Sequence, residues 1–227
     1  MRTTHKTLVK GLASPFLLLL LVFLPAGTWN YWQGWAYFCL SAIILSFTVW
    51  VLADKKDLIQ ERLNPGKGMK WWDKVYFAVS TPLSFISIVL AALDRGRFHV
   101  SAPLLHTSYT LIIALFLIAH AIFLWAKFAN KFFSSVVRIQ TDRDQQVCTT
   151  GPYAIVRHPG YVGGVIFTAV TPFVLGSVWI WSLVPALAAA VLLVVRTSFE
   201  DKTLQRELSG YTDYAKRVRY KLLPFIY

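Results

Sequence analysis

Two polar groups carry the residues of this chain that could do chemistry. Residues Arg157 to Tyr161 read Arg-His-Pro-Gly-Tyr, and a long uncharged stretch separates them from Arg196, Glu200 and Asp201. Ionisable side chains next to lipid-soluble stretches are costly, so they indicate a functional site. A hairpin would bring the two groups to one membrane face, where they form a pocket with charges of both signs and an apolar roof. Such a pocket suits a zwitterionic ligand beside an apolar one.

The position of Pro159 predicts that a helix begins directly after His158. Proline disfavours helical geometry in the preceding residue but is well tolerated in the first turn of a helix. The free N–H groups and partial positive charge of such a helix start attract an anionic group. Three glycines (Gly160, Gly163 and Gly164) would let another helix or a bound molecule approach closely.

Arg196 and Glu200 are four residues apart, which places them on one face of a helix. A salt bridge between them at the helix end is the alternative to a functional role, and such a pair is worth only a few tenths of a kcal/mol.

The composition indicates a polytopic membrane protein. Of the 227 residues, 56% are hydrophobic, and the mean hydropathy is +0.52. Four stretches lack Asp, Glu, Lys and Arg, and two of them are long enough for a hairpin of two spans, since a bilayer core needs about 20 apolar helical residues. We predict an all-α membrane bundle that forms a single domain over residues 1–227. Its six predicted spans are 11–28, 33–53, 75–93, 103–126, 160–176 and 180–197.

The net charge of +12 follows this topology rather than predicting nucleic-acid binding. With six spans, Arg95 and Arg97 are the only two of the 23 Lys and Arg residues on one side of the membrane. This positive-inside pattern predicts that both termini and the polar groups lie in the cytosol. The basic loops should also attract anionic lipid head groups. We expect the bacterial inner membrane rather than the endoplasmic reticulum.

Residues 128–160 and 196–224 are predicted to form the soluble part of the site. Apolar side chains recur at helical spacing over 198–220, which predicts an amphipathic helix with a break at Gly210 that caps the pocket. A short surface helix is predicted at 61–63 and a turn at 64–68. His120 lies within a predicted span, and we interpret it as a packed residue with one hydrogen bond.

Several short motifs occur in order along the second half of the chain. They are Gly151-x-Tyr153, Arg157-His-Pro-x-Tyr161, Glu200-Asp-x-x-Leu204, Tyr211-x-x-Tyr214 and Arg217-Val-x-Tyr-x-Leu-Leu-Pro224. This pattern resembles the isoprenylcysteine carboxyl methyltransferase family of integral membrane enzymes, which is related to the phospholipid methyltransferases. Residues 64–74 and 130–134 look like the prokaryotic branch of that family. The chain departs from the family pattern at Gln145, where His is usual, at Arg138, where Gln is usual, and at Asp201, which replaces a second Glu.

The resemblance implies that S-adenosylmethionine is the methyl donor. The positions that would bind it are Gln145, Gln146, Val147, Cys148, Gly151, Tyr153, Arg157, His158, Pro159, Gly160, Tyr161, Glu200 and Asp201. Arg196 would position the acceptor, and His158 and Tyr161 complete the expected catalytic set. A lipophilic acceptor, which we expect to be an isoprenylcysteine-like carboxylate, would enter from the bilayer. Transfer to a carboxylate needs alignment and exclusion of water, with no strong base, and no zinc-ligand spacing is present.

Three other interpretations stay open. The methyl acceptor could be a phospholipid or a small apolar molecule. Membrane sterol reductases share a similar C-terminal arrangement and use NADPH, although this chain is short for them and lacks a Gly-x-Gly-x-x-Gly motif. A non-catalytic lipid-binding protein or transporter is the third. A transporter should place ionisable groups near mid-bilayer, whereas here only His106 and His120 lie within the spans and the charged cluster is at one face.

Overall fold

The computed structural model describes residues 15–52, 61 and 68–227, and these residues form helices and no strands. The α-helices are α1 (Pro15–Ala26 in its described part), α2 (Trp32–Leu52), α3 (Trp71–Ala92), α4 (His106–Ala129), α5 (Pro159–Val174), α6 (Ile180–Glu207) and α7 (Tyr211–Arg217). A π-helix, Leu93–Phe98, continues α3, and two 3₁₀ helices, Thr141–Arg143 and Gly151–Ala154, lie between α4 and α5. The predicted all-α class is confirmed.

Four of the described helices are long and apolar enough to cross a membrane. They are Trp32–Trp50, Trp71–Phe98, His106–Ala129 and Ile180–Glu207. The other two predicted spans correspond to α1 and α5, which are apolar but shorter. With 16 residues, α5 extends about 24 Å at 1.5 Å per residue, less than a bilayer core of about 30 Å. The count of six spans therefore stays a prediction.

Two predictions fall partly outside the described residues. The first predicted span begins at residue 11, before the described part of α1. Glu61 is helical, but the rest of the helix predicted at 61–63 and most of the turn predicted at 64–68 are not described.

Glycines allow α5 to pack between α4 and α6. A Cβ atom added at Gly163 would lie 2.3 Å from the carbonyl oxygen of Ala119 on α4. One added at Gly164 would lie 2.8 Å from Cδ2 of Leu193 on α6. The close approach predicted from these glycines is therefore present, and it brings the first turn of α5 against the elements that build the site.

The predicted sixth span continues without a break into the first part of the predicted amphipathic helix. α6 extends to Glu207, ten residues beyond the predicted end of the span at 197. The break predicted at Gly210 is present, because this residue adopts φ +79° in the left-handed region that favours glycine. Tyr211 and Tyr214 of α7 then pack on the end of α6. One rigid helix therefore carries Arg196 and the Glu200–Asp201 pair.

A buried carboxylate joins three segments at the far end of α3. Asp94 is 0% exposed. It accepts hydrogen bonds from the backbone N–H of Ser101 at 2.7 Å and from the hydroxyls of Ser101 and Ser177, both at 2.5 Å. Ser177 lies in the turn between α5 and α6 and also contacts Ser182 at 2.8 Å. These bonds fix the end of the bundle that is distant from Arg196.

His120 packs inside the bundle, as predicted. Its Nδ1 lies 2.8 Å from the carbonyl oxygen of Phe116. The imidazole ring also contacts the ring of Phe116 at 4.3 Å and stacks on Phe167 at 4.6 Å between centroids.

Candidate functional site

A cavity of about 100 Å³ lies where the loop after α4 meets the start of α5, the end of α6 and α7. Of the predicted site residues, ten line it: Gln145, Gln146, Val147, Cys148, Tyr153, Arg157, His158, Gly160, Tyr161 and Glu200. The remaining walls come mainly from the loop residues 130–140 and from α7. The structure thus brings together predicted site residues that are up to 55 positions apart in the sequence, from Gln145 to Glu200.

Glu200 is the carboxylate that faces this cavity. It is partly buried and accepts a hydrogen bond from the hydroxyl of Tyr161. Among the residues that the structure describes, no Lys, Arg or His forms a salt bridge with it. The Tyr161 ring stacks on His158 with centroids 5.8 Å apart. A partly desolvated carboxylate that forms no salt bridge with a described residue, set among aromatic rings, can bind a cationic group of a ligand.

Asp201 has a different role from its neighbour. It accepts hydrogen bonds from Arg157 Nε at 2.7 Å and from Tyr211 Oη at 2.9 Å, and His158 Nε2 lies 3.1 Å from it. Gln205 donates a further bond at 2.7 Å. The carboxylate is 1% exposed. The sequence predicted a cofactor contact here, but the structure places Asp201 behind the cavity wall, where it holds the side chains of Arg157 and His158.

The pKa of Tyr211 supports this arrangement. Burial, followed by the nearby Asp201 carboxylate, raises the pKa of the Tyr211 hydroxyl well above its ordinary value. The hydroxyl therefore stays protonated and remains a hydrogen-bond donor to Asp201.

The C-terminal segment holds the start of α5 through the backbone. The N–H groups of Arg157 and His158 donate to the carbonyl oxygens of Tyr220 and Lys221, both at 2.9 Å. The N–H groups of Tyr161 and Val162 turn back to the His158 carbonyl oxygen. α5 begins at Pro159 as predicted, but the chain itself uses much of the hydrogen-bonding capacity that we expected to serve an anion.

The loop that forms one wall is fixed by an ion pair. Arg138 donates to Glu61 from Nε at 2.9 Å and from Nη2 at 2.5 Å, and Nη1 donates to Asp142 at 2.8 Å. These bonds lower the pKa of Glu61. Gln145 accepts a bond from the Gln140 N–H at 2.7 Å. Two of the three positions that depart from the family pattern, Arg138 and Gln145, thus both stabilise the loop as well as lining the cavity.

Arg196 lies outside the cavity lining and pairs with an unpredicted residue. Its Nε donates to Asp73 Oδ1 at 2.7 Å, and its Nη2 donates to the carbonyl oxygen of Ser135 at 2.9 Å. Its guanidinium lies 5.3 Å from the centroid of the Tyr161 ring. The alternative salt bridge between Arg196 and Glu200 is absent from the described residues. Asp73 was not among the predicted site residues, although an acidic residue just before a predicted span was a signal.

Two predicted cofactor residues serve the backbone instead. Gly151 opens a 3₁₀ helix at φ +60°, and Pro159 is the first residue of α5. Neither lines the cavity.

Comparison with known proteins finds a family match over the segment that forms much of the cavity. Residues 105–206 match the model of the isoprenylcysteine carboxyl methyltransferase (ICMT) family, which confirms the resemblance predicted from the sequence. A stretch of 90 residues is also 30% identical to the Delta(14)-sterol reductase TM7SF2 of Mus musculus. That stretch is 39% of this chain and only 22% of the reductase. The family match includes α4, the cavity loop, α5 and nearly all of α6.

Proposed function

We propose that this protein, whose residues 105–206 carry the pattern of the isoprenylcysteine carboxyl methyltransferase family, is an S-adenosylmethionine-dependent methyltransferase of the membrane. Its expected acceptor is a lipophilic carboxylate of the isoprenylcysteine type. The observation that carries this proposal is the Glu200 carboxylate, which faces the cavity with the Tyr161 hydroxyl as its hydrogen-bond donor. The family-matched segment supplies both of these residues.

The cavity residues fit a cationic, partly aromatic donor. Glu200 would attract the sulfonium and ammonium charges, and the ring of Tyr153 would form part of the wall beside the adenosyl group. Burial raises the pKa of Tyr153, so its hydroxyl stays neutral and available as a donor. When bound, S-adenosylmethionine supplies a methyl group that is already activated by its sulfonium. The protein then mainly has to hold donor and acceptor in line and exclude water.

The size of the cavity implies a movement of the loop. About 100 Å³ is less than the roughly 300–1,000 Å³ of typical ligand pockets. We expect residues 130–148 to move away from the end of α6 when the donor enters. The Arg138–Glu61 pair is one contact that resists this movement.

The acceptor would lie beside Tyr161. Arg196 does not line the cavity, but its guanidinium lies 5.3 Å from the centroid of the Tyr161 ring, which does line it, so we expect donor and acceptor to meet at the edge of this ring. The carboxylate oxygen of the acceptor forms the bond to the methyl carbon as the carbon–sulfur bond breaks and its electron pair returns to sulfur. No proton has to be removed, so the chain needs no general base. The apolar tail of the acceptor would remain in the bilayer.

We further propose that the cavity and both termini face the cytosol of a bacterial inner membrane, on the asymmetry of Lys and Arg between the two ends of the bundle. Single-cysteine variants at Arg97 and Lys216 test this orientation in a background without Cys39 and Cys148. A membrane-impermeant thiol reagent added to intact cells should label the first variant and not the second. The reverse labelling would contradict the orientation.

A reductase is the second candidate function, favoured by the similarity to the Delta(14)-sterol reductase. The shared stretch is short relative to that protein, so a similar cavity could serve a different cofactor. This candidate predicts binding of NADPH and reduction of a sterol double bond.

The test of methyl transfer uses purified protein in detergent micelles with tritiated-methyl S-adenosylmethionine. The acceptors are N-acetyl-S-farnesylcysteine, as a lipophilic carboxylate, and phosphatidylethanolamine, as a lipid amine. Label that alkali releases as methanol identifies a methyl ester and supports the proposal. Label that stays on the phospholipid after alkali treatment would indicate that the acceptor is a lipid amine rather than a carboxylate. Absence of transfer together with NADPH-dependent reduction of a sterol would favour the second candidate.

A further inference from the structure

Asp73 connects three separate parts of the structure. It lies in the first turn of α3, outside the family-matched segment, and it is 0% exposed. Its Oδ1 accepts from Arg196 Nε on α6, and its Oδ2 accepts from the backbone N–H of Val137 in the cavity wall, both at 2.7 Å. The N–H of Lys70 donates to the Val137 carbonyl oxygen at 3.3 Å. A single carboxylate therefore ties the start of α3 to both α6 and the loop.

These contacts fix the guanidinium of Arg196 at two of its three nitrogens. Asp73 holds Nε, and the Ser135 carbonyl oxygen holds Nη2 at 2.9 Å. The rings of Tyr76 and Phe77 lie 4.7 Å and 4.9 Å from the guanidinium carbon, on the α3 side. Nη1 has no hydrogen bond to any residue that the structure describes. The orientation that Asp73 imposes thus leaves one nitrogen of Arg196 for another partner.

We propose that Asp73 is a positioning residue for methyl transfer, which sets the rotation of the Arg196 guanidinium so that its Nη1 donates to the acceptor carboxylate. This inference rests on the proposed function and deepens it. Because the negative charge of Asp73 offsets the positive charge of Arg196, directed hydrogen bonds hold the acceptor rather than net charge. The acceptor class that fits is a lipophilic monocarboxylate.

Removal of the Asp73 charge should change kcat and KM to different extents. Asp73→Asn removes the charge and one acceptor while keeping the shape of the side chain. The more positive local charge favours the acceptor carboxylate, whereas the misdirected Nη1 binds it less well, so the KM for N-acetyl-S-farnesylcysteine should change little. The alignment of Arg196 is lost, so kcat should fall about 10- to 100-fold, the order of effect that misplacement by about 1 Å produces.

Two controls separate this effect from damage to the fold. The kcat of each variant is divided by the fraction of protein that binds S-adenosylhomocysteine, and the affinity for that ligand should stay within about threefold of the wild type. The matched control is Asp213→Asn, because Asp213 is an exposed acidic residue whose bonded partner is Lys216. This control should keep full kcat and KM.

A double-mutant cycle with Arg196→Lys tests whether Asp73 acts through Arg196. Lysine keeps the charge but not the guanidinium geometry. If Asp73 only orients Arg196, adding Asp73→Asn to Arg196→Lys should lower kcat by less than about twofold further. Independent effects of the two substitutions would multiply, and that outcome would overturn the inference.

Failure of the proposed function and failure of the role of Asp73 give different results. A wild-type protein that binds no adenosyl compound and transfers no methyl group refutes the proposed function itself. An active wild type with an equally active Asp73→Asn variant refutes only the role of Asp73. If Asp73→Asn does not fold, Asp73→Glu keeps the charge but shifts the carboxylate by one methylene. Its normalised kcat should be reduced with S-adenosylhomocysteine binding intact, and unchanged kcat would contradict the inference.

Discussion

The two ends of the helix bundle each contain a carboxylate, and the two carboxylates differ in burial and in hydrogen-bond partners. At the far end of α3, Asp94 is fully buried and accepts three hydrogen bonds from Ser101 and Ser177. At the cavity end, Glu200 is partly exposed and accepts its hydrogen bond from Tyr161. The same chemical group therefore stabilises the fold at one end and remains available at the other. The number of partners that the protein itself provides distinguishes a structural carboxylate from a ligand-binding one.

The same contrast is repeated between neighbours at the cavity end. Asp201 has four side-chain partners, whereas Glu200, one residue earlier, faces the cavity. Successive residues on α6 point in different directions, so one of the pair is turned into the protein and the other toward the ligand. We therefore expect substitutions at the two ends to affect different measurements.

The largest expected effect is on cofactor affinity at Glu200. Glu200→Gln keeps the size of the side chain and removes its charge. Loss of a desolvated charge pair with the ligand costs about 2–5 kcal/mol, so the Kd for S-adenosylmethionine should rise roughly 30-fold or more. Isothermal titration calorimetry in detergent measures this Kd. Glu207→Gln is the matched control, since Glu207 lies on the same helix and its salt bridge is with the partly exposed Lys70. Equal affinity in the two variants would contradict the role of Glu200 as the ligand-binding carboxylate.

The corresponding substitution at the other end should affect stability instead. Asp94→Asn leaves donors from Ser101 and Ser177 without a charged acceptor, a loss of about 1.5–3 kcal/mol. The midpoint of thermal unfolding in detergent should fall, which intrinsic tryptophan fluorescence can follow. The Kd for S-adenosylhomocysteine, measured well below that midpoint, should not change. A large loss of affinity with normal stability would contradict the structural role of Asp94.

A smaller effect is expected when Glu200 loses its hydrogen-bond donor. Tyr161→Phe removes the hydroxyl that donates to Glu200 while keeping the ring beside His158 and Arg196. A hydrogen bond to a charged group contributes about 1.5–3 kcal/mol, but this one is present with and without the ligand, so only part of its energy affects binding and the Kd for S-adenosylmethionine should rise about 2- to 12-fold. Competition against tritiated S-adenosylhomocysteine provides the measurement. A loss as large as that of Glu200→Gln would show that the hydroxyl contacts the cofactor directly.

The smallest effect concerns the ion pair of the cavity loop and depends on pH. Hydrogen bonds from Arg138 lower the pKa of Glu61. A carboxylate with a lowered folded pKa stabilises the protein above its ordinary pKa of about 4.3, and this contribution disappears as pH falls through the folded value. The difference in unfolding midpoint between wild type and Glu61→Gln should be constant above about pH 5 and shrink below about pH 4. A difference that is undiminished at pH 3 would contradict the assigned pair.

The sequence supported prediction of local features and of the family, but not of long-range pairing. The helix start at Pro159 and the break at Gly210 depend on local backbone preferences, and the structure contains both. The partner of Arg196 could not be predicted, because Asp73 is 123 residues away. The sequence did not show that Asp201 lies behind the cavity wall. Spacing shows which residues share a helix, but not which of them have their hydrogen bonds supplied by the protein itself.

The length of α6 also could not be predicted from local sequence patterns. The end of the apolar stretch at 197 suggested the end of a span, but the helix continues in polar residues to Glu207. Packing of Leu208, Tyr211 and Tyr214 into one buried cluster stabilises this extension. Hydropathy reports where lipid ends, whereas tertiary packing decides where the helix ends.

The most direct test of the central claim is titration calorimetry of the detergent-purified wild-type protein with S-adenosylmethionine, S-adenosylhomocysteine and NADPH in parallel. The available carboxylate of Glu200 predicts that both adenosyl compounds bind at a single site and that NADPH does not. Binding of NADPH without either adenosyl compound would contradict the methyltransferase proposal and assign the cavity to a reductase.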